Sequence, residues 1–334
     1  MKTIFYVAGK SGGHIVPALT LAQQQHKHEA TVCGIFSTTG ALDAQLIGNC
    51  SAITEHIPLP LSGLSKKHPL FFVQLLQAWY ISFMALRRIR PAAVISTGGL
   101  VSVPVCIAAW MLRIPYDLYE FNVEPGAAVK FLASRARTVY ACFAATQRYI
   151  QRSVQYAPYP VRYTDADRIT PSEARSTLGL AADKKTLMII GGSQGSRFIN
   201  TLLQQWVEQL SADERAHVQI IHQAGLHDVA ALQEVYRTAQ IEAIVFAYRD
   251  DIALCYQASD YLITRAGAGV LHELLFFNKR ALIIPLEIAS THHQVTNAQA
   301  FVERDPASWA LLRQQDFLHD DTLLYRTLKK ELFA

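Results

Sequence analysis

Four glycine-rich turns hold most of the residues in this sequence that could do chemistry. They are Gly9-Lys10-Ser11-Gly12-Gly13-His14, Thr97-Gly98-Gly99, Gly191-Gly192-Ser193-Gln194-Gly195-Ser196 and Arg265-Ala266-Gly267-Ala268-Gly269. Glycine lets a ligand approach the main chain, and the free amides of a following helix favour an anion. The first turn contains Gly-Lys-Ser, three letters of the ATP-binding P-loop. That loop needs a further glycine five residues before Gly9, and Ile4 occupies the position. The dinucleotide fingerprint GxGxxG fails too, because Ser11 stands where its second glycine belongs. What remains is a tight turn with His14 at the start of the next helix. The positive end of that helix favours the neutral, proton-accepting imidazole. Two roles stay open for it, a base for an incoming hydroxyl or a hydrogen-bonding prop of the turn. In Gly191–Ser196 the amides, with Ser193 and Gln194, suit a diphosphate.

The elements that must position these turns are short apolar runs alternating with helical patterns. Residues 3–8, 31–37, 92–97, 116–121 and 138–144 read as strands, and so do 186–190, 218–223, 243–248, 261–264, 281–286 and 309–313. A polar, proline-bearing stretch between Pro158 and Lys185 separates the two series. Two doubly wound α/β domains are therefore expected, 1–160 and 161–334, facing across a cleft, with the last helix free to pack back on the first domain.

Composition narrows the partners. Residues 1–164 carry 15 Lys/Arg against 6 Asp/Glu, and the remainder carries 16 against 21. No acidic residue occurs between His56 and Tyr116, where Lys66, Lys67, Arg87, Arg88, Arg90 and Arg113 all lie. The first half thus looks made for an anionic partner. No nucleic-acid module accompanies the charge, so nucleic acid is not expected. Cys33, Cys50, Cys106, Cys142 and Cys255 are widely spaced, as buried thiols in a reducing cytoplasm would be. No signal-peptide pattern is read, and no run of the ~20 uninterrupted apolar residues a spanning helix needs.

Several longer blocks occur in an order typical of one family: GKSGGHIVPALTLA, STGGLVSVPVCIAAW, YEFNVEPGAAVKFLA, PYPVR, GGSQGSRFINTLL, HQAG, YRDDIALCYQASDYLITRAGAGVLHEL and HHQVTNA. Over about residues 3–315 the chain resembles the MurG-type, lipid-linked N-acetylglucosaminyltransferases of peptidoglycan synthesis, inverting enzymes of the GT-B fold. The resemblance implies that the second domain holds UDP-N-acetylglucosamine. Gly192, Ser193, Gln194 and Gly195 would take the diphosphate, Glu273 the ribose, and backbone near Arg249 the uracil. Arg162 and Ala268 would lie beside the nucleotide, and His293 and Gln294 would meet the sugar, with Asn297 following. In the first domain His14 would be the base and Asn122 its catalytic companion. Lys10, Ser11, Gly12, Gly13, Gly98, Gly99 and Glu120 would surround a polyprenyl-diphosphate-linked acceptor.

The implied reaction needs no metal and no cofactor. The one DxD-like triplet, Asp165-Ala166-Asp167, reads as a solvated loop in the linker. The chain also departs from the family. Lys10 replaces a usual glycine, Tyr119 and Phe121 replace histidine and glutamine, and His293 stands where glutamine is commoner. Those changes keep two alternatives in view, a related enzyme with another lipid-linked acceptor and a non-catalytic nucleotide-sugar binder. The basic and apolar segment 64–90 implies peripheral attachment to an anionic leaflet, at the cytoplasmic face of the plasma membrane.

Overall fold

The computed structural model describes residues 2–9, 12–29, 31–61, 70–192, 195–288 and 293–333. The chain forms two units, Met1–Arg162 and Tyr163–Ala334, so Arg162 ends the first unit rather than opening the second.

The first unit runs β1 (Lys2–Val7), α1 (Gly12–His28), β2 (Thr31–Thr38), α2 (Ala41–Gly48), β3 (Ile53–Leu59) and α3 (Leu70–Ile89). It continues with β4 (Ala93–Ser96), α4 (Ser102–Met111), β5 (Tyr116–Glu120), α5 (Ala127–Leu132), β6 (Thr138–Ala141) and β7 (Gln155–Tyr156). Its strands form one parallel sheet in the order β3-β2-β1-β4-β5-β6-β7. Alternate residues of β1 feed two cores. Phe5 and Val7 pack with α3, α4 and α5, while Ile4 and Tyr6 pack with α1 and α2.

The second unit runs α6 (Pro171–Leu178), β8 (Lys185–Ile190), α7 (Arg197–Gln209), α8 (Ala212–His217), β9 (Val218–Gln223), α9 (Val229–Thr238) and β10 (Glu242–Phe246). There follow α10 (Ile252–Ala258), β11 (Tyr261–Thr264), α11 (Ala268–Phe276), β12 (Ala281–Ile283), α12 (His293–Arg304), β13 (Trp309–Leu311) and α13 (Leu323–Leu332). This sheet is also parallel, ordered β10-β9-β8-β11-β12-β13. Leu324, Leu328 and Leu332 of α13 are buried in the second unit's own core with Trp206 and Tyr261. The last helix thus spends its apolar face in that core.

In each sheet the strand order reverses once, between β1 and β4 and between β8 and β11. Parallel sheets bind ligands outside the carboxyl ends of the strands at this reversal. All four glycine turns lie there, following β1, β4, β8 and β11.

The helix α3 is amphipathic. Phe71, Ala78, Ser82 and Leu86 are buried, whereas Phe72, Leu76 and Tyr80 are 68%, 64% and 58% exposed. With 20 residues and a mean hydropathy of 1.3 it reaches the size of a bilayer span, which the sequence reading assigned to no segment. The five cysteines are free and buried.

Candidate active site

In the first unit the β1 and β4 turns close around one imidazole. The His14 Nδ1 lies 2.7 Å from the Thr97 carbonyl oxygen. A carbonyl only accepts, so Nδ1 carries the proton and Nε2 keeps the lone pair. Thr97 fastens the same residue a second time, donating its Oγ1 proton to the His14 carbonyl at 2.9 Å. The ring rests on the Gly98–Gly99 turn, where φ is +96° and +81°. A Cβ on Gly98 would stand 3.2 Å from His14 Cε1, and one on Gly99 3.7 Å from Cδ2. The left-handed backbone calls for glycine at both positions, and at Gly98 the nearness of the ring adds to it. Serines stitch the turn from beneath: Ser96 Oγ donates to Ser102 Oγ at 2.6 Å, and Ser102 Oγ to the Gly98 carbonyl at 2.7 Å.

The loop after β5 is organised by Glu120, which is buried. Its Oε1 accepts from the Asn122 main chain at 2.9 Å and from Asn122 Nδ2 at 3.0 Å, and its Oε2 from Gly126 N at 2.9 Å. Burial pushes this carboxyl above its usual range, while those hydrogen bonds, and His14 whenever its ring is protonated, pull it down. Glu120 thus shapes its own loop and faces His14 electrostatically. Asn122 turns its amide toward Glu120.

The two aromatic departures pack on rings of the same unit, Phe121 buried and Tyr119 half-buried. Tyr119 stacks on Tyr140 at 4.6 Å between ring centroids, and Phe121 packs edge-on to Tyr159 at 5.0 Å. Gly12 and Gly13 open α1. Lys10 and Ser11 lie outside the described residues, as do Ser193 and Gln194 of the second nest.

In the second unit the nest begins at Gly191. Gly192 and Gly195 have φ of +90° and +74°, and Ser196 caps α7 by accepting from Ile199 N at 3.3 Å. A Cβ on Gly195 would meet the Ala224 carbonyl at 2.2 Å, so this turn presses directly on the HQAG turn after β9. A buried network holds that HQAG turn. Asn200 Nδ2 donates to the Ala224 carbonyl at 3.0 Å and to Asp228 Oδ2 at 2.7 Å. Its Oδ1 accepts from His222 Nε2 at 3.1 Å, and Tyr236 donates to His222 Nδ1 at 2.7 Å. Burial lowers the His222 pKa to about 3, so the ring stays neutral.

Around β11, Tyr256 donates its phenol proton to Glu273 Oε2 at 2.7 Å while its ring stacks on Phe277 at 5.2 Å. The carboxamide oxygen of Gln294 accepts from Ala266 N and Leu286 N at 3.2 and 3.0 Å. Asn297 Nδ2 donates to the Ala266 carbonyl at 3.3 Å. These two side chains tie α12 to the turn that leads into Ala268, the first residue of α11. His293 opens α12. Arg249 makes a two-pronged pair with Asp251 at 2.7 and 2.6 Å. Arg162 is exposed. Asp167 caps Thr164 at 2.7 and 2.8 Å, and Asp165 pairs with Arg168 at 3.1 Å, so that triplet serves its own turn.

Two residues within the quoted blocks take supporting roles that the sequence does not assign. Tyr256 supports Glu273, and Arg265 crosses from β11 to the cap of α7, where its Nη2 donates to Ser196 Oγ at 2.7 Å. For Arg265 the available signal is a charged side chain leaving an apolar strand, whereas Tyr256 sits within α10 and carries no such mark.

Two parallel α/β units with glycine nests at their strand reversals define a GT-B fold, and the family models place it among the glycosyltransferases. Residues 4–141 match the glycosyltransferase family 28 N-terminal domain, and residues 186–327 the family 28 C-terminal domain. Over 308 residues the chain is 32% identical to the UDP-N-acetylglucosamine–N-acetylmuramyl-(pentapeptide) pyrophosphoryl-undecaprenol N-acetylglucosamine transferase of Protochlamydia amoebophila, covering 90% of this chain and 81% of that protein. The protein of the same name from Anaeromyxobacter dehalogenans is 30% identical over 330 residues, covering 98% and 83%. In fold, the crystal structure of Acinetobacter baumannii MurG matches with a TM-score of 0.76 at 23% identity, covering 99% of this chain and 91% of that one. The chain belongs to glycosyltransferase family 28.

Proposed function

We propose that this chain transfers N-acetylglucosamine, with inversion, from UDP-N-acetylglucosamine to a polyprenyl-diphosphate-linked muramoyl-pentapeptide. The relatives' names supply the substrates, and one observation carries the chemistry. The Thr97 carbonyl fixes the His14 proton on Nδ1, so Nε2 is the basic atom. The acceptor hydroxyl gives its proton to Nε2 as its oxygen attacks the anomeric carbon, and the bond from that carbon to the UDP oxygen breaks. The Glu120 carboxylate offsets the positive charge that forms on His14. UDP departs with its negative charge facing the nest and the amino-terminus of α7. Glu273 takes the ribose, Gln294 and His293 the sugar, and the turns at Gly12, Gly13, Gly98 and Gly99 the acceptor diphosphate. Lys10, Ser11, Ser193 and Gln194 belong to the same reading by sequence.

The test is incubation with UDP-N-acetylglucosamine and a short-chain polyprenyl-diphospho-muramoyl-pentapeptide. The wild-type chain is expected to release UDP and form the disaccharide, and His14→Ala to lose about 10²–10⁴-fold in kcat. Wild-type protein that releases no UDP would refute the acceptor, and undiminished turnover by His14→Ala would refute the base.

The same reading places the chain at the cytoplasmic face of the plasma membrane, held there peripherally through α3. Support comes from its exposed stripe, Phe72, Leu76 and Tyr80, and from the exposed Arg87, Arg88, Arg90 and Arg113. Residues 64–69 of the basic segment, with Lys66 and Lys67, lie outside the described residues.

A further inference from the structure

Arg265 is a buried cation at the strand reversal of the second unit, and its hydrogen-bond partners are neutral. It leaves the end of β11 and is only 6% exposed. Its Nη2 donates to Ser196 Oγ at 2.7 Å, and its Nη1 to the carbonyls of Ile284 and Pro285 at 3.0 and 3.1 Å. Its guanidinium carbon lies 5.8 Å from the centroid of the Phe198 ring. Among the described residues no carboxylate bonds it. Glu287 is close enough to favour its charge, yet that carboxylate is bound by Arg313 and by the Gln314 main chain at 3.1 Å. Burial lowers the Arg265 pKa to about 10, so at neutral pH the group remains charged.

Neutral tethers could be supplied without a charge, and burying a guanidinium that has no bonded anion is costly. The charge is therefore the feature that needs a reason. Arg265 is bonded to the residue that caps α7, and α11 begins three residues after it, at Ala268, with no side-chain cap. Two helix amino-termini and a guanidinium thus add their positive potentials at one end of the sheet.

We propose that Arg265 is a positioning residue that supplies the buried counter-charge for the donor's diphosphate, acting through Ser196 and through its field. The proposal rests on the reading that the second unit takes the UDP-sugar. The guanidinium strengthens binding in proportion to the negative charge of the nucleotide and leaves the uridine contacts unchanged. It also favours the departure of UDP, whose charge grows as the bond to the sugar breaks.

The experiment measures Kd for uridine, UMP and UDP by calorimetry on the whole chain, in wild type, Arg265→Met and Arg265→Lys. In Arg265→Met the preference for UDP over uridine is expected to fall about tenfold, the scale of one charge-assisted interaction, with uridine itself changed less than about twofold. Arg265→Lys is expected to keep most of the preference at pH 7 and to lose it by pH 9, because burial brings a lysine pKa down, whereas wild type keeps it throughout. The lysine variant's pH response also serves as the readout should the methionine variant not fold. Equal weakening of uridine and UDP would make Arg265 a simple strut and overturn the proposal, as would a preference that ignores both variants. A wild-type chain that binds none of the three nucleotides would sink the UDP-sugar reading, and this inference with it. Binding with a normal preference that does not respond to Arg265 sinks only the inference.

Discussion

Removing a single oxygen, in Tyr256→Phe, tests whether Glu273 is held in place for the ribose. Tyr256 is fully buried, and its ring stacks on Phe277 with an interplanar angle of 15°, a contact phenylalanine keeps. The change removes the phenol oxygen and with it the 2.7 Å hydrogen bond to Glu273 Oε2. A hydrogen bond to a charged group contributes about 1.5–3 kcal/mol. Part of that is recovered when the freed carboxylate finds water, and a less encumbered carboxylate is a slightly better acceptor. A net loss of about 1 kcal/mol in ribose recognition is the reasonable magnitude, or roughly fivefold in Kd. The informative assay compares UDP with 2′,3′-dideoxy-UDP by calorimetry. In wild type the ribose hydroxyls strengthen binding, and in Tyr256→Phe their advantage is expected to shrink roughly fivefold while dideoxy-UDP binds as before. Glu273→Gln, run beside it, should abolish most of the advantage. If Tyr256→Phe keeps the wild-type ratio while Glu273→Gln loses it, the positioning argument is wrong and the ribose contact stands. If Glu273→Gln also keeps the ratio, the ribose assignment itself is refuted.

Two other consequences concern stability and location. Burial lowers His222 and His272 to about 3 and about 4, against 6.5 for the ordinary group. The unfolded chain therefore binds more protons than the folded one below about pH 6.5, and stability present above that pH is lost as pH falls toward the folded values. Each ring should cost roughly 2 kcal/mol between pH 7 and pH 5. Denaturant unfolding at a series of pH values should show this slope, reduced by about half in His222→Gln; an unchanged slope in that variant would contradict the assignment. At the membrane, Leu76→Asp with Tyr80→Asp should cut sedimentation with anionic vesicles by at least about tenfold. Turnover of a water-soluble short-chain acceptor should be preserved, and vesicle binding equal to wild type would remove α3 as the contact.

Much of the architecture could be read from the chain because strands covered on both faces must be apolar. β1, β2, β4, β5 and β6, and every strand of the second unit, show as such runs. β3 does not, since Ile53–Leu59 is an edge strand, mostly half-exposed, and carries Glu55, His56 and Pro58. β7 is only two residues long. The turns were legible for a related reason. Gly98, Gly99, Gly192 and Gly195 take left-handed backbone, which marks itself by residue type. The supporting side chains were not legible, because their meaning lies in contacts across long stretches of sequence. Arg265 finds its partner 69 residues away, and the tautomer of His14 is set by a carbonyl 83 residues on. Neither distance leaves a local pattern.

The departures from the family divide along the same line. Tyr119 and Phe121 differ from the usual residues inside the acceptor block, which by sequence alone suggests a changed ligand. In the fold, both side chains are taken up by aromatic partners of their own unit, Tyr140 and Tyr159. A ring in place of a polar group there alters how the β5 loop packs, and Glu120 still fastens that loop through Asn122 and Gly126. Lys10 lies outside the described residues, and by residue type it adds a cation to a turn otherwise made of small residues, where the proposed acceptor diphosphate would lie. Any difference in acceptor preference from the relatives should therefore follow Lys10 and leave Tyr119 and Phe121 uninvolved.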